Sequence, residues 1–193
     1  MTPVIEKDQL MRDDLQQSLT RSHINPATLT PFQRILLTTD GTVTDILEAY
    51  LFEQIQVVKL SQELIPSSVD IPLLELKTGT EIIDRQILLQ GKISRKNYIY
   101  AESIIVPERL DENFRYELFK TKTPIGKIWL EQKVETFKDI VDSAKEPAND
   151  LSVHFNIDPS DNMLSRTYRV FSKGQAVMMI TEKFPESYFL KEF

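Results

Sequence analysis

Two pairs of strand-like segments, each joined through a polar turn, constrain this chain more than any other feature. Glu81–Leu89 and Tyr98–Val106 are rich in Ile, Leu and Val, and they flank the polar stretch Gln90-Gly-Lys-Ile-Ser-Arg-Lys-Asn97. Ser165–Phe171 and Gln175–Phe184 flank Lys173-Gly174. Neighbours of this kind pair as hairpins, and hairpins are antiparallel. Ile55–Leu64 reads as a further strand from its β-branched content, and Val134–Val141 as mostly strand. Helical segments are too few and too clumped for a doubly wound parallel sheet. The expected class is α+β: a single antiparallel sheet of about six strands, one face covered by helices. At 193 residues this is one domain, or at most two small ones, and no internal repeat or interdomain linker divides 1–193.

Helices are expected early in the chain. Thr30 is placed to cap a helix that starts at Pro31 and ends before Asp40-Gly41. Thr42 is placed to cap a second helix through Ile46, Leu47, Tyr50 and Leu51, with Asp45 completing a capping box. Residues 111–119 put acidic residues first and Phe114 and Leu118 on one face. Pro124-Ile-Gly126 starts another turn or short helix. Residues 7–20 fit a short helix or an arm (1–22 at most), and Ser143–Asp161 is the most loop-like stretch.

Composition removes several chemistries. The chain has no Cys, which excludes disulfides, thiolate metal sites and thiol catalysis. The two His, His23 and His154, are far apart and cannot form a multi-histidine site. A net charge of −6 disfavours non-specific nucleic-acid binding. No apolar window is long enough to span a bilayer, and Met1–Arg12 lacks the apolar run of a secretory signal, so the expected compartment is the cytoplasm. No P-loop, dinucleotide fingerprint or nucleophile elbow is present.

Charges inside strands stand out. Alternation puts Ile83, Arg85 and Ile87 on one face, and an Arg in such company sits at a sheet edge, snorkels, or lines a polar pocket. Glu182 shares a face with Met178, Ile180 and Phe184. Buried without a cation, its carboxyl would be held neutral and suited to general acid work; otherwise it is a half-exposed residue or an ion-pair partner. Arg34, Arg166 and Arg169 are further cations beside apolar stretches, and Arg suits a bidentate grip on carboxylates.

Five blocks in order, Thr30-Pro-Phe-Gln-Arg-Ile-Leu-Leu-Thr-Thr-Asp-Gly-Thr-Val-Thr44, Asp84-Arg-Gln-Ile-Leu-Leu89, Tyr100-Ala-Glu-Ser-Ile-Ile-Val-Pro107, Lys122-Thr-Pro-Ile-Gly126 and Ile180-Thr-Glu-Lys-Phe-Pro185, resemble the chorismate lyase family in its cyanobacterial and archaeal-type branch. The resemblance implies conversion of chorismate to 4-hydroxybenzoate and pyruvate without metal or organic cofactor. It implies an antiparallel sheet with helical flaps over a buried site. The family's carboxylate-binding Arg matches Arg85 and its catalytic Glu matches Glu182. Its Thr-Pro-Leu-Gly turn, which contacts the ligand through backbone groups, matches the residues ending in Ile125 and Gly126. An Arg that the better-studied bacterial branch carries before its Thr-Val-Val-Pro strand end is Ser103 here, so the second carboxylate of chorismate falls to another cation, such as Arg166 or Arg34. A plastoquinone-like or ubiquinone-like pathway is the implied context. The same fold also serves bacterial regulators as a small-ligand sensor, which keeps a non-catalytic binding module open.

Overall fold

The computed structural model describes Leu19, residues 21–121 and residues 123–190. The expected helix or arm at 7–20 lies, Leu19 apart, outside the described residues. Six strands form one antiparallel sheet: β1 (Ile55–Pro66), β2 (Glu81–Gly91), β3 (Asn97–Ile105), β4 (Phe137–Pro147), β5 (Asn162–Ser172) and β6 (Gln175–Pro185). Their order is β1-β2-β3-β6-β5-β4. The sheet is thus two three-stranded meanders joined through their last strands, β3 and β6. Both expected hairpins form, β2 with β3 and β5 with β6.

Five α-helices lie among the described residues: α1 (Pro31–Thr38), α2 (Val43–Leu51), α3 (Glu112–Lys120), α4 (Ile125–Glu131) and α5 (Ser152–Phe155). The start of α1 is fixed by a full capping box. Thr30 Oγ1 accepts from the Gln33 N–H, Gln33 Oε1 accepts from the Thr30 N–H, and Pro31 occupies the first turn. The buried Gln33 also donates from Nε2 to the carbonyls of Glu186 and Tyr188, tying α1 to the chain after β6. Helix α2 starts after Thr42 as expected, but the capping box does not form, because the Thr42 side chain makes no cap bond. Its methyl group lies against Gly126 instead.

Helices α1 and α2 bury Phe32, Leu36, Leu37 and Leu47 against Val57, Ile87, Leu89, Ile99, Leu164 and Phe184 of the sheet. Helices α3 and α4 bury Phe114, Leu118, Ile128 and Trp129 against Ile83, Ile105, Tyr168 and Ile180 on the same face. Each fully buried aliphatic side chain contributes roughly 1.5–3 kcal/mol. The opposite face is not left bare. Ile71, Leu74 and Leu76 pack over Ile82 and Val106 at one end, and Phe155 of α5 packs over Leu88, Tyr100 and Met163 at the other. Between these two covers lie the half-buried polar side chains of Asp84, Gln86, Glu102, Thr181 and Lys183.

One stretch departs from expectation. Strand β4 starts three residues late, at Phe137, and continues through Pro147, inside the stretch expected to be loop. It pairs only with β5, so its outer edge tolerates the polar run Asp-Ser-Ala-Lys-Glu that a central strand would not carry. No helix among the described residues is long and apolar enough to cross a membrane.

Candidate active site

A cavity of about 50 Å³ lies between the helix-covered face of the sheet and the N-terminal ends of α2 and α4. Its floor is Arg85, Ile87 and Leu89 of β2, Ala101 and Ser103 of β3, Ile180 and Glu182 of β6, Tyr168 of β5 and Lys138 of β4. Its roof is Thr42–Thr44 and Pro124, Ile125, Gly126 and Trp129. Ligand clefts usually enclose ~300–1,000 Å³. The roof must therefore part from the floor to admit a substrate of any size.

Arg85 is 1% exposed, and its Nε and Nη2 have no hydrogen-bond partner among the described residues. The β-register puts Gln62 and Ser103 directly across from it on the two neighbouring strands, and Gln62 Oε1 is itself unpaired. Burial pulls the guanidinium down from 12.5 to about 10, which leaves it charged at neutral pH. A buried cation without a counter-charge is costly to a fold. A cation so placed can receive an anion, and the planar fork of Arg suits a carboxylate.

Glu182 is 8% exposed and is not buried without a cation. The register places Arg166 directly opposite it, and Arg166 Nε donates to Glu182 Oε2 at 2.9 Å. Tyr168 donates its hydroxyl to Glu182 Oε1 at 2.9 Å. Of the two readings open for Glu182, the structure shows the ion-pair partner, with both carboxyl oxygens engaged. Burial and the Glu182 carboxylate together raise the Tyr168 hydroxyl well above its ordinary range, so Tyr168 remains a donor.

The remaining expected residues divide. Ile125 and Gly126 line the roof, in the first turn of α4 where N–H groups lack partners within the helix. Arg166 is 1% exposed; besides its bond to Glu182 it donates to the Thr39 carbonyl, its Nη2 has no partner among the described residues, and it does not line the cavity. Arg34 is not at the cavity at all. It donates from Nη1 to the carbonyls of Pro26 and Leu29, locking the turn before α1. A cation beside an apolar run has two ways to be satisfied, and Arg34 takes the backbone.

Lys138 was not singled out by the sequence. It alternates with Ile140 in β4, faces Tyr168 with Nζ 5.6 Å from the ring centroid, and donates to the Gly41 carbonyl at 2.8 Å. Burial lowers its pKa, partly offset by Glu182, Asp40 and Asp45. Its period-two partnership with an Ile was the available signal.

Gly126 has a steric reason to be glycine. A Cβ there would stand 2.5 Å from Thr42 Cγ2, the contact that joins roof to roof. Gly126→Ala should therefore destabilise by about 1–3 kcal/mol, less the ~1 kcal/mol that Ala gains in a helix. Thr42→Ser, which removes only that methyl, should restore most of the loss. Thermal denaturation of the two single variants and the double variant checks this; purely additive effects would show that the contact is not the cause.

Residues 37–192 match the family described as Rv2949c-like chorismate pyruvate-lyase. A chorismate pyruvate-lyase of Mycobacterium leprae is 36% identical over 161 residues, covering 81% of this chain and 75% of that protein. One of Mycobacterium tuberculosis is 30% identical over 163 residues, covering 81% and 80%. Among solved structures, the effector domain of PhnF from Mycobacterium smegmatis superposes with a TM-score of 0.57 at 11% identity, over 77% of this chain and 91% of that one. That likeness concerns the fold alone. With match and identity extending over most of its length, the chain belongs to the Rv2949c-like chorismate pyruvate-lyase family.

Proposed function

We propose that this chain is a chorismate pyruvate-lyase that releases 4-hydroxybenzoate and pyruvate, and that it does so in the cytoplasm as a source of quinone head groups of the plastoquinone or ubiquinone kind. The observation that carries the reading is the buried guanidinium of Arg85, its Nε and Nη2 without a partner among the described residues, in a largely apolar cavity that also holds the Glu182–Tyr168 pair. Arg85 holds the ring carboxylate. Ile87, Leu89, Ile125, Trp129 and Ile180 enclose the ring and exclude water.

The reaction needs no water and no redox partner. The ether bond between ring C3 and the enolpyruvyl oxygen breaks. The hydrogen on ring C4 leaves as a proton, and its electron pair completes the aromatic ring. The departing enolate takes a proton at its methylene carbon and becomes pyruvate, so the atoms of chorismate equal those of the two products. Glu182, a carboxylate in its pair with Arg166, accepts the C4 proton and returns it to the methylene carbon. Tyr168 and Arg166 hold its two oxygens in position. Aromatisation makes the reaction strongly downhill, so most of the protein's contribution is placement.

The test is a single-turnover and steady-state assay with purified protein and chorismate, following pyruvate and 4-hydroxybenzoate separately. Equal amounts of both are expected. A fast first turnover followed by a slower steady rate is also expected, since the closed cavity must open to release product. Tight binding of 4-hydroxybenzoate with no pyruvate would make the fold a ligand sensor here.

A further inference from the structure

Chorismate carries two carboxylates, and Arg85 accounts for one. The cation for the other has to face the same cavity, and the structure narrows the choice. Arg34 is spent on the carbonyls of Pro26 and Leu29. Arg166 is held by Glu182 and by the Thr39 carbonyl, and although its Nη2 has no partner among the described residues, it does not line the cavity. Lys127, next to Gly126, is paired with Glu48 at 2.8 Å. Lys138 lines the cavity, and of the three N–H bonds its ammonium can donate, the structure shows one, to the Gly41 carbonyl.

We propose that Lys138 is the receptor for the second, enolpyruvyl carboxylate of the substrate, standing across the cavity floor from Arg85 with Glu182 and Tyr168 between them. This rests on the lyase reading above and adds a residue to it. The strand order supports the placement. Arg85 is on β2, Glu182 on β6, Tyr168 on β5 and Lys138 on β4, so the four side chains are laid out across the sheet in the order β2, β6, β5, β4. A substrate anchored at both ends by cations places its ring and ether bond over the Glu182 carboxylate in the middle. The contacts around Lys138 suit the task. The Gly41 carbonyl fixes the ammonium at one corner, and the ammonium lies over the Tyr168 ring. Ser103, small and directly opposite Arg85, carries no charge that could substitute.

The role makes a discriminating prediction, because product and substrate differ in the carboxylate concerned. 4-Hydroxybenzoate has only the ring carboxylate. Lys138→Met keeps length and apolar stem while removing the charge. It should raise KM for chorismate by about 10- to 100-fold, the scale of one charge-assisted hydrogen bond. The Kd of 4-hydroxybenzoate, read from quenching of Trp129, the single Trp of the chain and part of the cavity roof, should stay within about twofold of wild type. Lys138→Arg should recover much of the loss in KM. Equal weakening of both ligands would show that Lys138 only supports the fold, and an unchanged KM would show that it does not meet the substrate; either result overturns the proposal. A measurement on the wild-type protein guards against a variant that does not fold. An unreactive mimic, 4-hydroxybenzoate bearing a carboxymethyl ether at position 3, should bind wild type at least about tenfold more tightly than 4-hydroxybenzoate. Equal or weaker binding would count against the second receptor. Failure of the lyase reading itself is seen separately, as the absence of pyruvate from wild type, and would take this assignment with it.

Discussion

Arg85→Met is expected to give a protein that is more stable than wild type and nearly unable to capture substrate. The two effects share one cause. The guanidinium lies 1% exposed with Nε and Nη2 unpartnered among the described residues, so the folded protein carries an uncompensated buried charge. Replacing buried ionic groups with apolar side chains of similar volume stabilises proteins by up to about 1–4 kcal/mol. For a chain of this length, each kcal/mol raises Tm by roughly 2–4 °C. The Met side chain would rest among Ile83, Ile87 and Ile180, whose contacts it can extend. The same change removes the group proposed to receive a carboxylate, and losing one partner of a desolvated charge pair costs about 2–5 kcal/mol. That corresponds to a fall in kcat/KM of roughly 30- to 5,000-fold. Binding of 4-hydroxybenzoate should fall with it, unlike the Lys138 variant. Thermal denaturation and kcat/KM on the same preparation check both halves. A lower Tm with binding retained would show that Arg85 is a structural residue.

Glu182→Gln should act on the other kinetic parameter. Gln retains the shape and a carbonyl oxygen for Arg166 or Tyr168, so KM and fold should change little. It cannot accept and return a proton, and kcat should fall by ~10²- to 10⁴-fold. Glu182→Leu is a different experiment. It leaves Arg166 buried without its anion, at a cost of about 3–5 kcal/mol in stability. Adding Arg166→Met to Glu182→Leu should recover much of that stability and none of the activity. If Glu182→Gln turns over at the wild-type rate, proton movement belongs to another group or to the substrate alone, and Glu182 is left as the anchor for Arg166.

Which parts of this arrangement the sequence disclosed follows from what alternation can and cannot show. Arg85 and Glu182 could be singled out because each interrupts a period-two run of Ile and Met in a strand bounded by turn residues. Alternation assigns a face; it says nothing of who stands opposite. The pairing of Glu182 with Arg166 is a matter of register between β5 and β6, so the sequence left open whether Glu182 has a cation beside it. Arg34 and Arg166 looked equivalent as cations near apolar residues, yet one caps a turn and the other braces a carboxylate from behind. Lys138 escaped notice because β4 is an edge strand, where a Lys ordinarily points to solvent. The extent of β4 was hidden for the same reason: an edge strand needs only one satisfied neighbour, and its polar residues read as loop.

The joining of two meanders through β3 and β6 bears on how the protein reaches its working form. Each meander closes through contacts near in sequence, but β3 meets β6 between residues such as Ala101 and Glu182, far apart in the chain. Long-range pairings of this kind are slow to form, because the intervening chain must lose its freedom before the contact repays it. Arg85 belongs to the first meander, while Lys138, Tyr168 and Glu182 belong to the second. The seam is therefore where separate halves become an enzyme. In refolding from denaturant, secondary structure should return ahead of ligand binding, and neither half made alone should bind 4-hydroxybenzoate. The proposed site doubles as a checkpoint of completed folding: a chain that has not zipped β3 to β6 has all four of these residues and no cavity to hold them together.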